Sequence, residues 1–150
     1  MLNAIDLFRI GHKAYKKRIP IIPKAMFHLN YALFRCVIPS ECSIGEGSRL
    51  AYGGICVVLN KNAQLGNNCM IGQGVTIGGK PGQNGGVPVI GNNCYLAAGC
   101  KVLGGVTVGD NCVIGANAVV THDIPDNCVV AGVPARVIKT DIDINDYWKF

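Results

Sequence analysis

The stretch that decides the fold is "IGNNCYLAAGCKVLGGVTVGDNCVIGANAVV", residues 90–120. Its aliphatic residues Ile90, Leu96, Val102, Val108, Ile114 and Val120 fall six apart. A helix buries one face at a period near 3.6 residues, and a half-buried strand at a period of 2. Six matches neither. It matches a flat-sided coil in which each hexad is a short strand plus a turn. The same rhythm runs through Leu59, Leu65, Ile71 and Ile77, and through Ile38, Ile44 and Leu50, so thirteen anchors fall in three phased runs. Glycine follows the anchor at Ile44, Leu65, Ile71, Ile77, Ile90, Val108 and Ile114.

The fifth residue of each hexad, counting the anchor as first, is small: Cys42, Ser48, Gly54, Ala63, Cys69, Val75, Cys94, Cys100, Val106, Cys112 and Ala118. A narrow prism needs such residues at its second inward position. Five of the eight cysteines fall there, and the sequence holds no CxxC pair. A buried free cysteine behaves as a small hydrophobe, so these thiols read as packing rather than as metal ligands or disulfides.

Outside the repeat the chain is ordinary in composition. With 49% hydrophobic and 15% charged residues over 150 positions it has the makings of one packed domain and not of a long disordered segment. The net charge of +5 is partly a local patch, Arg9, Lys13, Lys16, Lys17 and Arg18, rather than a nucleic-acid footprint. No run of 18 apolar residues is present, and Asp6 and Arg9 interrupt any signal-peptide core, so a cytoplasmic protein is expected.

Residues 2–17 read as a helix with Leu2, Ile5, Phe8, Gly11 or His12, and Tyr15 along one side. "IPIIP" (19–23) breaks it, and Pro23 suits the first turn of a second helix running to about Arg35, with Met26, Leu29, Leu33 and Phe34 apolar. The chain divides into a helical cap over residues 1–36, a solenoid over 37–137 and a tail over 138–150. The cap is expected to cover the open first coil. Its basic amphipathic side is a candidate for peripheral membrane or glycolipid contact. Trp148, the sole tryptophan, reads as a packing residue of the tail.

Two breaks in the rhythm mark the expected functional face. Leu50 to Leu59 spans nine residues, three more than a hexad. Ile77 to Ile90 spans thirteen, which reads as one more than two hexads. The second break holds "GGKPGQNGGVP" (78–88), whose five glycines and two prolines require a loop.

The motif aliphatic-Gly-x-x-small-x, repeated from Ile38 to Val137, resembles the hexapeptide-repeat acyltransferase family. "NAVVTHDIPDNCVVAGVPARVI" (117–138) and "GQGVTIGGKPGQNGGVPVIGNN" (72–93) resemble its serine acetyltransferase branch and the relatives that acetylate sugars in surface-polysaccharide assembly. The resemblance implies a mainly β protein, a left-handed parallel β-helix of triangular section, its hand opposite to the usual crossover rule. It implies a homotrimer with acetyl-CoA in a groove between subunits. The positions matching that groove are Gly78, Gly79 and Lys80, then Ala97 and Ala98, then Ala116, then Arg136 and Lys139. The implied activity is O-acetylation of a sugar hydroxyl on a glycan or other small acceptor. Serine O-acetylation is one alternative, and a coenzyme A or glycan binder without catalysis is another.

Acetyl transfer to a hydroxyl needs a general base and donors for the tetrahedral oxyanion. Histidine is the natural base, because it titrates near neutrality. The resembled serine acetyltransferases place a histidine near Tyr52 or Gly53 and a second where Val87 stands. The polysaccharide-linked relatives place one at Asn60. Asparagine has no acid–base equilibrium to offer, and a phenol, with a reference pKa near ~10, is a poor base. Of the remaining histidines, His12 and His122 read as packing or surface residues, and His28 is the one a cap helix could carry to a neighbour's site. The catalytic candidates are therefore Asn60, Tyr52 and His28. The three histidines lack metal-ligand spacing, so no metal is expected.

Overall fold

The computed structural model describes residues 2–82 and 85–148. Two helices, α1 (Ala4–Lys16) and α2 (Ile21–Phe34), precede a three-sided parallel solenoid. One side is built from β1 (Ser43–Ile44), β4 (Gln64–Leu65), β7 (Val89–Ile90) and β10 (Thr107–Val108). The second holds β2 (Arg49–Leu50), β5 (Met70–Ile71), β8 (Tyr95–Leu96), β11 (Val113–Ile114) and β13 (Val129–Ala131). The third holds β3 (Val58–Leu59), β6 (Thr76–Gly78), β9 (Lys101–Leu103) and β12 (Val119–Val120). The chain visits the sides in that order in every coil. The last strand, β14 (Arg136–Lys139), pairs antiparallel with β13. It straddles the expected boundary at residue 137.

The hexad anchors stack into three internal ladders. Ile44, Leu65, Ile90 and Val108 form one, Leu50, Ile71, Leu96, Ile114 and Val130 the second, and Leu59, Ile77, Val102 and Val120 the third. Every one of these side chains is buried. Register also settles the second break. Leu65 pairs with Ile90, so Ile77 to Ile90 is one hexad carrying a seven-residue insertion, not two hexads plus one.

The small fifth residues point inward as expected. Cys42, Cys69, Cys94, Cys100 and Cys112 are at most 1% exposed, and all eight cysteines are free. At the corner between the first and second sides four thiols stack. The Sγ of Cys69 donates to the Gly91 carbonyl at 3.2 Å, that of Cys94 to Gly109 at 3.1 Å and that of Cys112 to Pro125 at 3.1 Å, with Cys128 next in line.

The fourth residue of the hexad carries a signal the periodicity reading passed over. Asn68, Asn93, Asn111 and Asn127 adopt φ of 54°, 54°, 55° and 57°. This left-handed region admits asparagine and glycine far more readily than other residues. Asn93 Nδ2 donates to Asn111 Oδ1 and Asn111 Nδ2 to Asn127 Oδ1, both at 3.0 Å, so the turns are tied coil to coil.

The helical cap closes the first coil. Asn3 and Asp6 form a capping box at the start of α1. Arg9 donates to the carbonyls of Ile44 and, at 2.6 Å, Gly45. Ala4, Leu7, Phe8, Gly11 and Ala14 make the buried face of α1, so the expected line through Leu2 and Tyr15 is displaced and both are exposed. A Cβ on Gly11 would sit 2.6 Å from Ser40 Oγ, which is why that crossing takes no larger residue. In α2 only Asn30 is fully buried; of its apolar residues, Leu29 and Leu33 are 38% and 54% exposed.

Two predictions follow from this packing. Leu96→Ala should lower the unfolding free energy by about 2–5 kcal/mol, whereas Val58→Ala on the outward face should cost under about 1 kcal/mol, both read by urea unfolding. Burial pushes the thiols of Cys42 and Cys100 up to about 12 from 9.0. Their neutral form therefore contributes stability that is full below pH 9 and is lost as pH rises through about 12. Cys42→Ala/Cys100→Ala should flatten that alkaline decline, and in the native protein a mild thiol reagent should label Cys56, the exposed cysteine, well ahead of the other seven.

Candidate functional site

The first insertion lies between β2 and β3. Ala51–Gly54 form a 3-10 turn in which Tyr52 (φ 49°, ψ 40°), Gly53 (φ 76°) and Gly54 (φ 90°) all lie at positive φ. The cap sets its shape. A Cβ on Gly53 would stand 3.0 Å from the Phe34 ring, and one on Gly54 3.0 Å from Ala4 Cβ. Pressed from below, the turn projects Tyr52 outward, 77% exposed. Tyr52 rims a cleft of about 390 Å³ shared with Met70, Gln73, Tyr95, Ala98 and Trp148. The rings of Tyr95 and Trp148 stack at 5.8 Å and 28°. The tail thus packs on the second side: Ile142, Ile144 and Tyr147 cover Val113, Val129 and Tyr95.

Asn60 lies at the next corner, after β3. Its Oδ1 accepts from the Asn62 backbone N–H at 2.9 Å, an Asx turn. Its Nδ2 is the atom that a Cβ on Gly79 would approach to 3.1 Å. The side chain therefore lies outside the prism, beside the base of the second insertion. That insertion folds back on itself, with Lys80 and Gly86 exchanging backbone hydrogen bonds at 3.0 and 3.2 Å. Gly86 rests on Gly105 of the coil above, where a Cβ would come within 2.7 Å of Gly105 Cα.

His28 is exposed and lines a groove of about 510 Å³ with Lys24, Phe27, Ser40, Glu41 and Lys61. It lies on the side of Asn60, whose neighbour Lys61 lines the same groove, and away from Tyr52. Within one subunit the three catalytic candidates do not converge. His12 Nδ1 lies 2.8 Å from the Ser40 carbonyl oxygen and the ring stacks on Phe8, which makes it a tether for α1. His122 is exposed and meets only the Thr121 hydroxyl among the hydrogen-bond partners described, at 3.1 Å.

All the expected cofactor positions but Lys139 fall at two corners flanking the third side. Gly78 ends β6, and Gly79 and Lys80 follow at one corner. At the other, Gly72 and Gln73, Ala97 and Ala98, and Gly115 and Ala116 stack as small turns; a Cβ on Gly72 would come within 2.7 Å of Ala98 N. Arg136 pairs with Ala131, which faces Gly115, so it joins this second set. Lys139 lies at the far end of β14, its Nζ 5.8 Å from the centre of the Tyr147 ring. A seam of small side chains with a basic residue at its top has the shape and charge to hold a thin, phosphate-bearing chain.

Lys101 is the residue that the sequence reading missed. Its Nζ donates to Gly99 O at 2.7 Å and Gly74 O at 3.2 Å, fastening two successive turns of the small-residue corner. It is half-buried at the start of β9, between the two corner sets. The available signal was its isolation, as the one cation between Ile90 and Val120. Among the described residues, no group of three or more His, Cys, Asp or Glu side chains is arranged to hold a metal ion.

Comparison with known proteins agrees with this architecture. Residues 88–122 match the model of the bacterial transferase hexapeptide, six repeats. The serine acetyltransferase of Synechococcus elongatus is 40% identical over 137 residues, 91% of this chain and 56% of the relative. That of Helicobacter pylori strain J99 is 34% identical over 141 residues, 93% of this chain and 82% of the relative. Among solved structures, the serine acetyltransferase from Brucella abortus in complex with coenzyme A superposes with a TM-score of 0.84 at 32% identity, covering 93% of this chain and 56% of that one. The chain thus spans little more than half the length of several relatives. These relatives are serine acetyltransferases, and they support that branch rather than the polysaccharide-linked one. On the strength of the repeat, the three-sided solenoid and these identities, the chain belongs to the serine acetyltransferase family of hexapeptide-repeat transferases.

Proposed function

We propose that the protein is an acetyl-CoA-dependent O-acetyltransferase acting on serine, working as a homotrimer whose cofactor groove runs between subunits. The observation that carries this reading is the small-residue corner of Gly72, Ala97, Ala98 and Ala116, set on a scaffold close to that of a serine acetyltransferase captured with coenzyme A. In the proposed reaction the acceptor hydroxyl oxygen attacks the thioester carbonyl and loses its proton. A tetrahedral oxyanion forms, the C–S bond breaks, and the coenzyme thiolate takes up a proton. The seam with Gly78, Gly79, Lys80 and Arg136 binds and aligns the thioester. Lys101 holds the seam's turns in place. Asn60 Nδ2, beside Gly79, serves as a neutral donor.

The residue at Tyr52 sets the rate in this reading. It stands, with Gly53, where the serine branch is expected to carry histidine, and its turn presents it to solvent at the mouth of the cleft. A sugar hydroxyl is the second reading, favoured by one observation: Tyr52, Tyr95 and Trp148 give the cleft flat aromatic walls suited to a ring.

Release of free thiol from acetyl-CoA, followed with serine and with a panel of sugars, separates the two. For serine, Tyr52→His should raise the rate by about 10²–10⁴-fold, the usual worth of a positioned general base. For a sugar, the gain should come from Asn60→His instead. Binding of coenzyme A without transfer by wild type or either variant would leave a binder, and absence of coenzyme A binding by calorimetry would overturn the enzymatic reading altogether.

A further inference from the structure

α2 presents an apolar stripe to solvent. Ile21, Ala25, Leu29, Ala32 and Leu33 recur at the spacing of one helix face, and each is exposed, Ile21 by 76% and Leu33 by 54%. The opposite face, Pro23, Phe27, Asn30 and Phe34, is the one turned toward the rest of the protein. Ile22 and Ile19 widen the exposed stripe at its N-terminal end, at 38% and 40%. A basic border runs beside it: Lys24 on α2 and Arg35 at its C-cap, Lys16 at the end of α1, and Lys17 and Arg18 in the connection between the helices, all exposed. Residues 2–36 hold seven lysines and arginines against one carboxylate, Asp6, at the far end of α1. One carboxylate, Glu41, lines the grooves beside Lys24.

We propose that this side of α2, with the connection before it, docks on the surface of an anionic lipid bilayer. The apolar stripe would lie at the headgroup boundary with the helix parallel to the surface, and the lysines and arginines would meet lipid phosphates. Charge selects this occupant over a second copy of the chain. Two copies joined through the stripe would bring two strongly cationic caps together, whereas an anionic surface neutralises the same groups. The inference does not depend on the catalytic reading, since none of these residues belongs to the proposed site.

The test is co-sedimentation of the full chain with vesicles of phosphatidylcholine containing phosphatidylglycerol, against vesicles of phosphatidylcholine alone, at low and high salt. Binding is expected to the anionic vesicles and to be released by salt. Ile21→Ser/Leu33→Ser, two exposed positions that leave the fold intact by circular dichroism, should lower partition by at least about tenfold. Lys16→Gln and Lys24→Gln should each lower it about fivefold. No binding, equal binding to both vesicle types, or binding untouched by the Ile21/Leu33 pair would overturn the proposal. So would a change in subunit number on making that pair, by light scattering, because the stripe would then be a protein–protein interface.

Discussion

A chain that coils around a triangle must bend sharply at every corner, and at two of the three the backbone meets that demand with one residue in the left-handed region. Asn68, Asn93, Asn111 and Asn127 do so at one corner, and Gly74, Gly99 and Asn117 at the next. The remaining packing follows from these bends. The residue after each bend turns inward into a narrow space, so it is a cysteine, an alanine or a valine. The aliphatic anchor two places later fills the prism axis. Glycine after the anchor lets coils stack closely: a Cβ on Gly66 would meet the Gly91 carbonyl oxygen at 2.6 Å. Positions that face outward escape these constraints, and it is there that chemistry can vary.

That division explains what was legible in the sequence. The inward positions repeat with a fixed period, so the anchors and the small fifth residues were readable one by one. The size of the second insertion was not, because a thirteen-residue gap can be divided in two ways and only the pairing of Leu65 with Ile90 chooses between them. The buried face of α2 was not legible for a related reason. Its apolar residues surround the helix, so sequence offers no contrast from which to choose a side, and the choice falls to Asn30 bonding the Ala4 carbonyl at 3.1 Å. The small-residue corner was legible as individual alanines and glycines, but its continuity comes from residues about a coil apart in sequence. Lys101 left little trace, since its partners are backbone carbonyls, which every residue possesses.

The family's scaffold and its chemistry separate cleanly in this chain. The solenoid superposes on that of a serine acetyltransferase, whereas the positions at which the resemblance leads histidine to be expected, Tyr52 or Gly53 and Val87 for the serine branch and Asn60 for the polysaccharide-linked one, carry none. Tyr52 and Asn60 lie outside the prism, where a side chain can change without disturbing the ladders, while Val87 lies on the second insertion and packs against the core. A fold does not fix the chemistry grafted on it, so function must be assigned from the outward residues rather than from the coil.

The reversal of β14 has a consequence for solubility. A parallel solenoid is an open-ended stack, and each terminal rung offers backbone donors and acceptors on which a further coil, from any source, could continue the pattern. At one end the two helices lie across that opening. At the other, β14 runs against the grain of β13, with Ala131 opposite Arg136 and Val129 opposite Lys139, so the next layer of the second side is already occupied by a strand of the wrong direction and basic character. The molecule in this way carries its own terminator on that side, and its length is fixed by a change of direction rather than by exhaustion of the repeat.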